Sequence, residues 1–283
     1  MSSLGTPTAG VGIHRALSVW GGTDVGSKRE QNQDTFVITN LGGRRTSRIR
    51  SPMDVFLSRP GVLLGVCDGM GGPPAGDVAA QLAAAAIEDE LRAAASDTAR
   101  TPGPVLTRAV VEANDAILAV APAHPEERGM GTTCTAVLCT AEGLSIAQVG
   151  DSRAYLLRDR RLVRLTRDQT IAARLVDEGV LEPSEVVSFP FRHVLTQALG
   201  TEGHVQPVIT DHDLRENDRL LICSDGLHDP VDERTIAAIL ASVPGAEPAT
   251  RALIDAALAA GGPDNVTVVV ADCGPLERAG ASR

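Results

Sequence analysis

Four apolar runs fall close together in one stretch of this chain: Thr132–Thr140, Leu144–Val149, Ala154–Leu157 and Leu162–Leu165. Each is short and strand-like, and the turns between them are brief, as in antiparallel hairpins. Further strand-like runs lie upstream at 16–22, 35–39 and 62–67, and downstream at 205–210, 218–223 and 266–271. Helical spacing is found elsewhere. Pro74 to Ala95 is Ala-rich, with Leu82, Ile87 and Leu91 on one stripe, and Val105 to Val120 follows after Gly103 and Pro104. Two more helices are predicted at 232–241 and 247–260. The order is strands, two helices, strands, two helices, strand. It predicts an α+β layered fold, with strands packed on strands and helices outside. Strict β-α-β alternation is missing, which makes a doubly wound sheet the weaker alternative.

At 283 residues, with 43% apolar and 22% charged, the chain can form one large domain with an ample core. A loose tail is expected over 1–14, a single domain over 15–273, and a frayed tail over 274–283. Residues 41–60 carry Arg44, Arg45, Arg48, Arg50 and Arg59 and are read as an exposed basic loop between two strands. Residues 166–204, with Phe189-Pro-Phe191 and His193, interrupt the strand pattern and read as a surface excursion of the kind that carries function.

Composition narrows the function. A net charge of −10 and only 2% aromatic residues argue against a nucleic-acid binder. No apolar run reaches the ~18 residues of a membrane span. The N-terminus lacks the basic start and apolar core of a secretion signal, so a cytoplasmic location is expected. The five cysteines, Cys67, Cys134, Cys139, Cys223 and Cys273, are odd in number and loosely spaced. That fits buried small hydrophobes better than a disulfide framework or a zinc site.

Four acids share one grammar. Asp68, Asp151, Asp225 and Asp264 each border a strand-like run and sit beside Gly or in a Gly-rich turn. One such case is ordinary turn chemistry. Four together can form a cation site if the strand ends converge. The carboxylates would then repel one another unless hard divalent ions neutralise them. Spacing alone leaves both readings open.

Six motifs then occur in order: Asp24-x-Gly26-x-x-Arg29-x-x-Asn32-Gln33-Asp34, Asp68-Gly-Met-Gly-Gly72, Gly129-Met-Gly-Thr-Thr133, Gly150-Asp-Ser-Arg153, Cys223-Ser-Asp-Gly-Leu227 and Asp264-Asn-Val-Thr267. Together they resemble the bacterial metal-dependent protein phosphatases of the PPM, or type 2C, family over about residues 16–272. The resemblance implies a central antiparallel β-sandwich flanked by α-helices on both sides, with two Mg2+ or Mn2+ ions at one end. Asp68 then matches the acid bridging both ions and Gly69 offers its carbonyl. Asp225 and Asp264 match the remaining ligands of the first ion. Asp34 matches an acid holding metal-bound water, Asp151 supports a third, weaker ion, and Arg29 grips substrate phosphate. The excursion at 166–204 corresponds to the flap beside the site.

Gln33 departs from members that carry Glu there, and Met70 stands where animal members carry a histidine proposed as general acid. Bacterial members commonly have Met at that position. The leaving-group proton donor stays open between a metal-bound water and His193. The activity implied is hydrolysis of phosphoserine and phosphothreonine in proteins by direct attack of a metal-bridging water. The expected partners are a bacterial Ser/Thr protein kinase and its phosphorylated substrates, and a monomer is expected. A non-catalytic phosphoprotein-binding relative is the rival from another class, but such a relative is expected to have lost ligands. A phosphatase of an anti-sigma-factor antagonist is a third reading.

Overall fold

A computed structural model describes residues 13–43, 53–57, 60–72, 75–95, 101–120 and 129–278. The strands are β1 (Ile13–Asp24), β2 (Asp34–Asn40), β3 (Met53–Leu57), β4 (Val62–Met70), β5 (Gly131–Thr132), β6 (Cys134–Cys139), β7 (Leu144–Val149), β8 (Arg153–Arg158), β9 (Arg161–Arg164), β10 (Val208–His212), β11 (Arg219–Cys223) and β12 (Val266–Arg278). The helices are α1 (Ala75–Ala93), α2 (Pro102–Val120), α3 (Ile171–Asp177), α4 (Asp225–His228), α5 (Glu233–Ser242) and α6 (Ala246–Ala259).

Two sheets stack. One runs β3-β1-β12-β11-β8-β9 and the other β10-β7-β6-β4-β2, with β5 paired to the end of β4. Every strand pair is antiparallel. The α+β sandwich expected from the order of elements is the observed architecture.

Both faces of the central strands are covered, which is why they read as continuous apolar runs. On β4, Val62, Leu64 and Val66 pack between the sheets, while Leu63 and Cys67 face α1 and α2. On β12, Val269 and Ala271 face the other sheet, and Val268 and Val270 face α5 and α6. The period of two along a strand thus sorts neighbours into different layers. Ala75, Ala79, Ala80, Ala83, Ile87 and Leu91 form the buried stripe of α1. With few aromatics available, Ala, Val, Leu and Ile fill the three cores.

Several boundaries differ from the sequence reading. β4 continues past Cys67 to Met70 because Gly69 and Met70 pair with Thr132 and Gly131. The run predicted as 132–140 breaks at Thr133, and the one predicted at 205–210 forms three residues later as β10. α2 begins at Pro102, so Gly103 and Pro104 lie in its first turn, where a missing N–H has no partner to lose. The tail predicted from 274 is strand to Arg278, held by β1, which itself begins at Ile13 inside the expected N-terminal tail. The stretch read as an exposed loop at 41–60 contains β3, whose Leu57 is fully buried. Arg44, Arg45, Arg48, Arg50 and Arg59 lie outside the described residues. The four-residue helix α4 had no sequence signal long enough to register.

Candidate active site

Both sheets deliver acids to the same end of the sandwich. Asp34 opens β2 and lies directly opposite Asp68 on β4. Asp225 follows β11 as the first residue of α4, and Asp264 sits in the turn before β12, the neighbouring strand. Asp151 lies in the turn joining β7 to β8, where the chain passes from one sheet to the other. A cavity of about 1070 Å³ is lined by Arg29, Asp68, Gly69, Asp151, Asp225 and Asp264, among others. Asp34 is 7% exposed and does not reach the cavity wall.

The acids are held by short polar links. Ser224 Oγ donates to Asp34 Oδ2 at 2.7 Å and accepts the Thr267 N–H at 3.0 Å. Thr133 brackets Asp68: its N–H donates to the Asp68 carbonyl at 2.9 Å, and its Oγ1 accepts the Asp68 N–H at 3.0 Å. Asn265 Oδ1 accepts the Gln33 N–H, while its Nδ2 donates to the carbonyls of Val25 and Gln31. Asn265 therefore fixes the loop that carries Arg29. The Arg29 guanidinium donates to Asp264 Oδ2 at 2.6 Å, and this contact raises its pKa.

Gly69 is required by a close approach. A Cβ there would sit 2.1 Å from the Gly76 carbonyl oxygen and 2.6 Å from that of Gln33. The glycine after the acid thus lets α1 and the Arg29 loop close on β4.

Without cations the site is electrostatically frustrated. Burial raises the Asp68 pKa well above the carboxylate range, and the charges of Asp34, Asp225, Asp151 and Asp264 raise it further. Asp151 is raised well above that range, first by burial and then by Asp225 and Asp168. Asp34 is raised to about 6 by burial, against the opposing hydrogen bonds from Ser224 and Thr267. Burial also lifts Asp225 to about 6, with His228 opposing and Asp229 and Asp264 adding. Asp34 Oδ1 and Asp225 Oδ1 are buried without a hydrogen-bond partner. Orphaned carboxylate oxygens, like charges at close range and an all-oxygen donor set fit hard divalent cations.

All seven residues singled out from the sequence, Arg29, Asp34, Asp68, Gly69, Asp151, Asp225 and Asp264, converge on this end of the fold. Met70 lines the cavity, exposes about a third of its surface, and has no proton to give. His193 lines it from the flap, with Nδ1 3.3 Å from Asp229 Oδ2. Asp229 was missed. It stands one helical turn from Asp225, and ligand atoms of His193, Asp225 and Asp229 lie within 4.8 Å of one another. The Asp225-to-Asp229 spacing was its only sequence signal. Ser224, Asn265 and Thr133 were inside the recognised motifs, but their hydrogen-bonding duties follow only from the strand pairing.

The five cysteines are free and buried. Burial pushes the Cys139 and Cys223 thiols far above their ordinary range, so neither is a poised nucleophile.

A fold of this kind with acids from both sheets at one end is the architecture of metal-dependent phosphatases, and residues 56–260 match the protein phosphatase 2C family; the chain belongs to it. The chain is 46% identical over 213 residues to the serine/threonine protein phosphatase PstP of Mycobacterium tuberculosis, which covers 74% of this chain and 40% of that protein. This chain therefore spans about two fifths of the length of that relative. It is 32% identical over 251 residues to the serine/threonine phosphatase stp of Listeria welshimeri, covering 88% and 93% of the two chains. Among solved structures, the catalytic domain of PstP in complex with two manganese ions superposes with a TM-score of 0.76 at 37% identity, covering 92% of this chain and all of that one.

Proposed function

We propose that this chain is a metal-dependent protein serine/threonine phosphatase whose centre is built on Asp68, Asp225 and Asp264. The observation that carries the reading is the convergence of repelling acids: Asp68, Asp151, Asp225 and Asp264 line a cavity that also holds Arg29, Asp34 lies buried opposite Asp68, and Asp34 and Asp225 each keep an orphaned buried oxygen. Two Mg2+ or Mn2+ ions would be held by Asp68, the Gly69 carbonyl, Asp225 and Asp264, with Asp34 accepting from bound water and Asp151 holding a third, weaker ion. Bound divalent ions supply charge neutralisation and lower the pKa of a coordinated water.

The chain's own residues do the rest. Ser224 holds Asp34 at a fixed angle, which orients whatever donates to its free oxygen. Thr133 keeps Asp68 in place from both its N–H and its carbonyl. Arg29 is more than half exposed and gives one hydrogen bond to Asp264, so its planar fork retains donors for two phosphate oxygens. The flap residues Arg192, His193, Val194 and Leu195 wall the cavity where the leaving side chain and its peptide would lie. On this reading water is the first source of the leaving alkoxide's proton, and His193 on the cavity wall is the second. Met70 leaves that task to His193 or to water.

The relatives' names support serine and threonine phosphoproteins as substrates; the opposing activity in this proposal is a Ser/Thr protein kinase. Among the described residues, no helix is long and apolar enough to cross a membrane. The decisive experiment compares wild type and Asp225→Asn on a phosphothreonine peptide with Mn2+. A loss of more than about a hundredfold in turnover is expected, the scale of losing a cation's charge at the reacting phosphorus. Near wild-type turnover would refute the assignment. A non-catalytic phosphoprotein binder would show binding of the peptide without any Mn2+-dependent release of phosphate.

A further inference from the structure

β1 is longer than the strand beside it. β3 pairs with Arg15–Val19, and its first residue, Met53, lies opposite Val19. The Trp20 carbonyl then accepts from Thr250 Oγ1 at 3.4 Å. Beyond it, Gly21–Asp24 is paired to β12 on one edge and has no strand partner on the other among the described residues. A free edge of this kind presents the N–H and C=O groups of alternate residues outward. Edge strands usually carry charges that discourage further pairing, as β9 does with Arg161 and Arg164. Gly21-Gly22-Thr23 carries none.

The bare edge opens onto a groove. A cavity of about 550 Å³ is lined by Trp20 to Asp24, by Phe36 of β2, and by Arg251, Ile254, Asp255 and Leu258 of α6. It shares no lining residue with the cavity that holds Asp68. The two glycines set its shape. A Cβ on Gly21 would sit 2.5 Å from the Phe36 ring, and one on Gly22 would sit 2.9 Å from Ile254 Cδ1. Alternate positions of β1 therefore face β2 and α6. A strand laid along this edge would alternate in step, with one set of side chains toward Phe36 and the other toward α6.

Charge selects among such strands. Asp24 follows Gly22 on the α6 side, and Asp255 stands exposed on α6 itself. Asp24 accepts the Gly26 N–H, but neither acid is in an ion pair among the described residues. The only cation lining the groove, Arg251, is already engaged. It donates to Glu247 Oε1 at 2.8 Å and lies 5.8 Å from the centre of the Trp20 ring.

We propose that this groove docks an extended segment of a partner protein by strand addition, with basic side chains toward α6 and apolar ones toward Phe36. Backbone pairing to Gly21–Asp24 supplies the grip, and the two unpaired acids choose the partner.

The test uses the full chain and two short synthetic peptides, one alternating Val and Arg and the other alternating Val and Glu. Trp20 is the only tryptophan of the chain and lines the groove, so its fluorescence reports occupancy. Titration in EDTA keeps the readout separate from any metal centre. The Val/Arg peptide should shift Trp20 emission saturably, and the Val/Glu peptide should bind at least about tenfold more weakly, since its acids would face Asp24 and Asp255. Methylating the N–H groups of alternate peptide residues should abolish binding for one set and spare it for the other, because only one set faces β1. Asp255→Arg, at an exposed helix position, should weaken the Val/Arg peptide about fivefold, the scale of reversing an exposed ion pair.

Equal losses from methylating either set, or an affinity indifferent to Asp255→Arg, would mean attraction to an acidic surface and overturn the proposal. Binding that appears only after residues 44–52 are deleted would make the chain's own arginine-bearing segment the occupant, and would overturn it too. Self-association of the free chain that Asp255→Arg abolishes would name a second copy as the occupant, with the same consequence.

Discussion

Relative to wild type, Asp34→Asn should gain stability in the cation-free protein as pH rises toward about 8 and lose it in the Mn2+ complex, a contrast that follows from the frustrated acids. Asp34 is 7% exposed, lies directly opposite Asp68, and has one oxygen without a partner. Its pKa in the fold is about 6 against an ordinary 3.8. A folded-state pKa above the unfolded one means that the folded chain binds the proton more tightly. The stability this provides is present below about pH 4 and is lost as pH rises through about 6. The full penalty of ionisation is roughly 3 kcal/mol, and it is a ceiling because Asp68 shares the same repulsion. Asparagine removes this pH-dependent penalty but leaves an amide N–H unpaired, at a pH-independent cost of about 1–3 kcal/mol.

The comparison that isolates the charge is therefore the change, between about pH 4.5 and pH 8, in the variant's stability relative to wild type. It should favour the variant increasingly as pH rises, by up to about 3 kcal/mol, or about 6–12 °C in melting temperature for a domain of this size. Thermal melts in EDTA at the two pH values measure it directly. Repeating them with Mn2+ at about pH 8 should move the difference back toward wild type, which then gains ligand stabilisation that the variant lacks. A difference between variant and wild type that is the same at both pH values would refute the reasoning, since Asp34 would then carry no strained charge.

Arg29→Ala should raise KM for a phosphopeptide about ten- to a hundredfold, the range of a lost charge-assisted hydrogen bond, with a smaller change in kcat. An unchanged KM in steady-state assays would remove Arg29 from phosphate binding. Apparent Mn2+ affinity should fall as pH drops through about 6, where Asp34 and Asp225 take up protons, and the burial that raises the pKa of Asp68 and Asp151 acts in the same direction. Calorimetric titration between about pH 5 and pH 8 checks this, and an affinity flat across that range would count against carboxylate ligation.

What could be read from the sequence and what could not separate along a physical line. Strands with both faces buried announce themselves by composition, so β4, β7, β11 and β12 were visible as apolar runs. β3 was hidden because its pattern of Met53 to Leu57 is short and set among arginines and prolines. Only its pairing with Arg15–Val19 makes it a strand. The C-terminal half of β12 was hidden for the same reason. Its Gly-Pro stretch lacks strand propensity, and β1 supplies the order. Tertiary pairing overrides local preference wherever one partner is strong.

The site divides in the same way. Each acid was legible as a type of residue in a type of place, yet its behaviour is a property of pairs. Asp34 and Asp68 are 34 positions apart in sequence but opposite each other across two strands. That register turns two ordinary carboxylates into a high-energy pair. Ser224 and Asn265 then acquire their roles because β11 and β12 bring them beside Asp34 and the Arg29 loop. A motif records which residues a site needs. The sheet register decides which of them repel, and that repulsion is what a cation relieves. Asp34→Asn is thus a test of the register as much as of the residue, since moving the pairing by one position would turn the two carboxylates to opposite faces and abolish the effect.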